Sequence, residues 1–528
     1  MVEDLTGRPI AHAEVRLAVF AAACSGKEPD DRLKYDGPES VQTDDEGAFA
    51  FPDVPAVEVT LQATKEHYFS ADELRRLPNP QIGLFQIGRD AGPITLRIVG
   101  TSSFYGIARD ENEKPIGGVQ VALYSRFAWA GWLRIEYAGN AETHPDGSFT
   151  FPDLRPGRYY LVADPPHAIP WTDSPARDAE GNAVGYVPVR FPASADADNS
   201  MYFSLHEGER ARADFHFRKA RLYRVSGTIP GMRNPTTSTN LRDANESAAY
   251  ILKAQPGEEA FESWLPDGTY SIEVRNAENN GADTFEGWDS FEVTGSDLSG
   301  IEIPMAPVKA VDIPVEVSSG ARGANPSDPC GGIELVECGF PMLDLEGPMS
   351  GPESRLPTVV SSISLGHQRD PQINIGPGSG KFRVTLVSSS NVYAASVTSG
   401  TTDLIKEPLV VAADHANAPI KVVLAEGGIV EGVTREGEKT AAAWIYFLPE
   451  EANSNQFYPR SSAADGTFHI EGLAPGRYFA WATDDDILLD RHNPAETEPW
   501  IKRATLVTIE AGKTTSVDLR VIHCDIPE

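Results

Sequence analysis

Residues 146–163 read DGSFTFPDLRPGRYYLVA, and residues 465–482 read DGTFHIEGLAPGRYFAWA. A third version, EGAFAFPDVPAVEVTLQA, occupies residues 46–63. Asp146-Gly147 is a turn signal, because Gly accepts positive φ. Phe149 and Phe151 alternate with Ser148 and Thr150, which puts both rings on one buried strand face. Pro152 lacks an N–H and is expected to end the pairing. Leu154 is expected to plug the end of a sandwich. Pro156-Gly157 reads as a type II turn, with Gly at positive φ. Tyr159, Leu161 and Ala163 then alternate inward, and the Tyr hydroxyl can reach a backbone partner at the rim. Every recurring residue therefore has a turn or core role, so the repeat is scaffold rather than a site of chemistry.

Working outward, a second element precedes each copy. DLTGRPIAHAEVRL (4–17) matches DENEKPIGGVQVAL (110–123), and GVTREGEKTAAAWIYFL (432–448) is a looser version. Each reads strand, polar turn and alternating strand, with Ala13, Val15 and Leu17 or Val119, Val121 and Leu123 on one face. A third element follows, in SLHEGERARADFHF (204–217) and TIEAGKTTSVDLRV (508–521). One unit is thus about seven short strands with frequent turns, the pattern of an immunoglobulin-like β-sandwich. LPDGTYSIEV (265–274) and GPGSGKFRVTL (376–386) keep diverged forms of the turn. The reading is all-β: a tandem array of about five immunoglobulin-like or transthyretin-like sandwiches with very little helix. The units span 1–98, 99–220, 221–308, 309–426 and 427–528. The first lacks most of its opening strand, the second carries an aromatic insertion, and the fourth holds a cysteine pair. KEHYFSADELRRL (65–77) has a Ser70-x-x-Glu73 cap and predicts one short helical turn.

These elements resemble the carboxypeptidase regulatory-like domain, through G-x-V-x-D-x-x-G-x-P-I-x-G-A-x-V-x-L followed by T-x-x-D-G-x-F-x-F-x-x-L-x-P-G-x-Y-x-L-x-A. The match is good in units one, two and five and faint in three and four. Unit one departs from it, with Ala56-Val57 in place of Pro-Gly. The resemblance implies a transthyretin-like β-sandwich related to starch-binding-like modules. It also implies tandem arrays of the kind found in exported bacterial proteins, with no peptidase activity.

Composition fits this reading. The 528 residues include 46 glycines and 41 prolines, which suits many turns. The net charge of −32 disfavours nucleic acid and anionic membranes as partners. No apolar stretch is long enough for a membrane-spanning helix. The opening MVEDLTGRPI is polar and starts inside the expected first strand, so an export signal is expected upstream, and the location extracellular, cell-surface or periplasmic. Cys330 and Cys338 bracket CGGIELVEC and are a candidate disulfide closing a hairpin in an oxidising compartment. The pairing of Cys24 and Cys524 is open.

Motifs for catalysis are weak. His206 and Glu209 have a zinc-ligand spacing but fall on a strand turn. GPGSGK (376–381) lacks the first Gly and the Ser/Thr of a phosphate loop and reads as a hairpin turn. The acidic groups Asp44-Asp45-Glu46, Asp196 with Asp198, and Asp484-Asp485-Asp486 are solvated loops or, alternatively, calcium-bridged junctions. In SRFAWAGWLRIEY (125–137), Trp129, Trp132 and Tyr137 either cover core and neighbours or stack on sugar rings. Trp171, Trp288 and Trp500 sit in similar connections. The expected function is a non-enzymatic spacer, adhesin or surface-assembly component that self-assembles or meets cell-surface proteins. A glycan-binding array is the alternative, and an accessory chain of an extracellular enzyme or transport complex the second.

Overall fold

The computed structural model describes residues 1–4, 8–19, 37–54, 58–70, 84–86, 94–129, 132–165, 175–192, 202–230, 238–243, 249–250, 253–254, 259–278, 283–308, 311–319, 342–346, 359–365, 372–375, 380–387, 392–411, 417–441, 443–451, 460–462, 466–484, 487, 489, 491 and 493–523. Their regular structure is almost all strand, arranged as tandem β-sandwiches. Five hydrophobic cores follow one another along the chain. They run from Val2 to Ile98, Phe104 to Phe217, Tyr223 to Ile303, Ile313 to Leu424 and Val430 to Leu519.

Around each core the opening strand pairs in parallel with the closing one: Val2 with Leu96, Ser103 with Arg210, Val225 with Leu298, Val315 with Ile420, and Ile429 with Thr514. The other ladders are mostly antiparallel. In the second unit one sheet holds Ser148–Leu154, Ser102–Arg109, Arg210–Arg212 and Phe215–His216. The facing sheet holds Trp132–Glu142, Gln120–Trp129, Gly157–Asp164, Val189–Phe191 and Phe203–Leu205. Phe149, Phe151, Tyr159, Leu161 and Ala163 meet in the core between them, and Leu154 packs against it.

The repeated stretch is a corner between the two sheets. Asp146 Oδ1 accepts hydrogen bonds from the Ser148 N–H at 3.0 Å and the Ser148 hydroxyl at 2.6 Å. Gly147 has φ 77°, and a Cβ there would lie 2.6 Å from the Ala108 oxygen. Pairing does not end at Pro152. It breaks after Phe151 and resumes at Leu154 through a bulge. The left-handed residue is Asp153 (φ 51°), matched by Asp53 (φ 54°) and Gly472 (φ 77°), while Gly157 lies outside the left-handed region. The expected type II turn at Pro156-Gly157 is therefore replaced by a bulge that turns the chain one corner earlier. A Cβ on Gly157 would meet only the Tyr159 ring, at 3.5 Å. The tyrosine corner forms in three units: Tyr159, Tyr270 and Tyr478 donate to the carbonyls of Arg155, Pro266 and Ala474 at 2.8, 2.9 and 2.7 Å.

A second set of glycines sits in the opening strands. A Cβ on Gly106, Gly227 or Gly432 would lie 1.8, 2.1 or 1.7 Å from the carbonyl oxygen of Ala213, Ile301 or Val517. At each place the closing strand steps across the opening one, so two backbones approach with no room for a side chain. In the second unit this step separates Arg210–Arg212 from Phe215–His216, and Asp214 Oδ1 accepts the Ile107 N–H at 3.1 Å.

The helical turn expected after the Ser70 cap falls on residues 71–77, outside the described residues; Tyr68–Ser70 just before it is a strand antiparallel to Leu96–Gly100. The strands Gln372–Ile375 and Gly380–Val387, flanking the glycines of GPGSGK, belong to different sheets, so they form no hairpin with each other. Among the described residues one helix forms, Pro494–Ile501. Asn493 caps it, accepting from the Ala495 N–H, and Pro494 opens the first turn.

Candidate functional site

Trp129 and Trp132 face each other in register at the tip of the long hairpin Gln120–Trp129/Trp132–Glu142. The aromatic stretch 125–137 is thus ladder rather than a connection, because alternating residues extend both strands. Tyr137 lies on this hairpin, more than half exposed; its hydroxyl donates to Asn140 Oδ1 at 2.8 Å.

Register makes Tyr137 the end of a row. It pairs with Tyr124, which pairs with Tyr160 on the next strand. The rings of Tyr124 and Tyr160 stack at 4.8 Å and 9°, and Tyr137 meets Tyr124 edge-on at 5.9 Å. Tyr202 closes on Tyr160 at 5.8 Å. This row covers the sheet face opposite the core, with Val162 beside it. The Arg190 guanidinium lies over Tyr160 at 4.1 Å, and Arg126 lies over Tyr202 at 5.0 Å. Each such cation–π contact contributes about 0.5–2 kcal/mol.

Arg126 stands directly opposite Arg158 in the ladder. Burial, and then the neighbouring Arg126, lower the Arg158 pKa from its usual value, while Glu496 acts to raise it. Glu496, from the helix of the fifth unit, stands 3.5 Å from Arg126. From the third unit, Asp243 acts electrostatically on Tyr160 and Arg190, and Arg242 on Tyr124. Burial pushes the Tyr160 hydroxyl well above the ordinary phenol range. Asp164, at the end of the same strand, is pushed up to about 6 by burial. Its Oδ1 has no hydrogen-bond partner among the described residues. The face combines stacked rings, shared cations and one neutralisable acid, an arrangement suited to gripping another unit. Alternation alone hides it; the unbroken apolar run YYLVA (159–163) signals a strand covered on both faces.

A second contact uses the repeated stretch itself. Asp153 Oδ1 accepts from His67 Nδ1 at 2.9 Å and from the Thr101 hydroxyl at 3.2 Å. His67 is itself left-handed (φ 62°). Glu207 Oε1 accepts the Gly100 N–H at 2.7 Å, and Arg155 lies over Phe69 at 5.4 Å. Hydrogen bonding to Asp153 raises the His67 pKa above 6.5, and the same bond lowers that of Asp153. These contacts span the first and second cores.

The remaining expected site residues are placed as follows. Glu209 accepts the His206 N–H at 2.8 Å within its turn, so the pair is a turn cap. Asp44 Oδ1 accepts from the Glu46 and Ala48 N–H groups, and Asp484 pairs with His523 at 2.7 Å. Asp485, Asp486, Asp196, Asp198, Trp171 and all four cysteines, including the Cys330–Cys338 pair, lie outside the described residues. Among the described residues no group of three or more His, Cys, Asp or Glu can hold a metal ion. Trp288 is not in a connection but on the strand Asp283–Val293, half exposed. Trp500 is in the helix, packed against the buried Trp481 and Tyr446 of the fifth unit. Among the described residues no helix is long and apolar enough to cross a membrane.

No family model matches the chain, and no curated protein does. Among solved structures, the Bacillus anthracis TIE protein is 10% identical over 79% of this chain and 69% of its own, at a TM-score of 0.16. The full-length RrgB pilus protein of Streptococcus pneumoniae is 10% identical over 81% of this chain and 98% of its own, at a TM-score of 0.13. A minor pilin of Streptococcus agalactiae is 16% identical over 40% of this chain and 85% of its own, at a TM-score of 0.18. At such identities and scores these likenesses assign nothing to this chain.

Proposed function

We propose that the chain is a non-enzymatic, exported structural protein, a load-bearing spacer of five units bounded near residues 98, 220, 308 and 426. One observation supports this reading above the rest: opening and closing strands pair in parallel around all five cores. Tension enters a unit at the start of the first strand and leaves at the end of the last. Parallel strands pulled from those ends load their hydrogen bonds together in shear, rather than one at a time.

Single-molecule stretching of the full chain tests the reading. Five successive unfolding events are expected, each releasing on the order of 300–400 Å of chain. Unfolding in one event, or slack extension without force peaks, refutes it. The carbohydrate reading survives at Tyr137, whose ring is exposed on the same hairpin whose tip pairs Trp129 with Trp132. A glycan array read by tryptophan fluorescence decides it: no quenching by any polysaccharide removes it.

A further inference from the structure

We propose that the tyrosine–arginine face of the second unit is one half of an intramolecular clamp. Its other half is Glu496, presented by the first turn of the helix in the fifth unit. The clamp folds the array back on itself, and it stands on its own contact, independent of load bearing.

The seat comes first. Arg126 and Arg158 are cross-strand neighbours, and like charges directly opposite each other are destabilising. Arg126 lies over the Tyr202 ring, and Arg158 is partly buried. An anion placed between them relieves the repulsion, and desolvation strengthens its attraction. In a chain of net charge −32 this is a locally basic patch.

The occupant is equally specific. Glu496 is 370 residues away from Arg126 in sequence, yet only 3.5 Å from its guanidinium, with 30% of its side chain exposed against 16% for Arg126. It is aimed by its own helix: Asn493 caps the first turn and donates through Nδ2 to Glu496 Oε1 at 3.2 Å. The helix is in turn anchored on the fifth unit through Trp500 and Ile501. The contact is partly exposed, on the Glu496 side, and molar salt weakens its attraction, so closure is reversible.

Small-angle scattering and sedimentation velocity on the full chain test this. At 50 mM salt the wild type is expected to be compact, and at 1 M salt expanded. Glu496→Gln keeps the acceptor for Asn493 but removes the charge. It is expected to lower the closed-to-open ratio about fivefold at low salt. Glu498→Gln, two residues on and paired with Lys502 at 2.8 Å, is expected to change nothing. The exchange Arg126→Glu with Glu496→Arg is expected to restore compaction. Hydrogen exchange across 476–509 verifies that the fifth unit stays folded in each variant. A low-salt radius identical in wild type and Glu496→Gln overturns the clamp, as does an exchange that fails to restore it. Neither result changes the number of unfolding events under force, so the clamp and the spacer fail separately.

Discussion

Replacing Gly106 by Ala is the sharpest test of how the second unit closes. The new Cβ would lie 1.8 Å from the Ala213 oxygen, 2.6 Å from its carbonyl carbon and 2.8 Å from the Phe149 ring. Ordinary contact needs over 3 Å, so one backbone must retreat by about 1.5 Å. Retreat weakens the bond from the Ala213 N–H to the Tyr105 oxygen, 2.8 Å long, and the bond from Ile107 to Asp214. Two such bonds contribute about 1 kcal/mol each, and overpacking beside Phe149 adds about 1–3 kcal/mol. The expected loss is about 3–5 kcal/mol, which lowers the melting transition of a unit this size by roughly 10–25 °C. The matched control is Gly157→Ala in the same unit. Its Cβ meets nothing closer than 3.5 Å and its φ is not left-handed, so the expected loss is under about 1 kcal/mol. Calorimetry of the full chain gives the transitions, and hydrogen exchange in peptides from 102–109 and 148–164 assigns the one belonging to this unit. If the two variants shift that transition equally, the close crossing of the strands at Gly106 is not what the sequence requires there.

Other consequences follow from the same unit and its junction. Tyr159→Phe removes the donor to the Arg155 carbonyl and is expected to cost about 1 kcal/mol, read as a drop of a few degrees in the same transition. Asp164 has its pKa raised in the folded state to about 6 from 3.8, so its contribution is full below 3.8 and is lost as pH rises through about 6. Asp164→Asn should therefore match the wild type near pH 4 and exceed it at pH 7 by roughly 3 kcal/mol, given 1.36 kcal/mol per pKa unit; equal pH profiles would refute the burial of this acid. His67, raised above 6.5, contributes below that value and loses its contribution as pH rises through the folded pKa. Asp153, lowered below 3.8, contributes above that value and loses its contribution as pH falls through its own folded pKa. Exchange protection of Tyr68–Ser70 should thus be greatest in mildly acidic solution, and His67→Gln should abolish the loss at high pH while leaving the low-pH limb.

How far the sequence could be read depends on what each residue answers to. Phe149, Phe151, Tyr159 and Leu161 answer to their own strand, so period-two alternation places them in the core. Tyr160 and Val162 answer to Tyr124, Tyr202 and Arg190, from separate parts of the chain, so the alternation that buries their neighbours assigns them wrongly to solvent. The helix was legible from Asn493-Pro494-Ala-Glu496, a cap, a first-turn proline and a first-turn acid; a search for strands passes over it. The left-handed corner was not legible, because aspartate fills it in two copies and glycine in the third. Asp53 and Asp153 share with Gly472 only a tolerance of positive φ, whereas Gly157, the residue type that usually signals it, serves the Tyr159 ring instead. That difference is informative in itself. A corner that glycine fills at least strain is filled in the second unit by an aspartate whose carboxylate reaches His67 and Thr101. A strained residue retained where glycine would serve points to a use for its side chain. The repeat is therefore scaffold in its recurring letters, and in the second unit the Asp153 at its corner also joins that unit to the first.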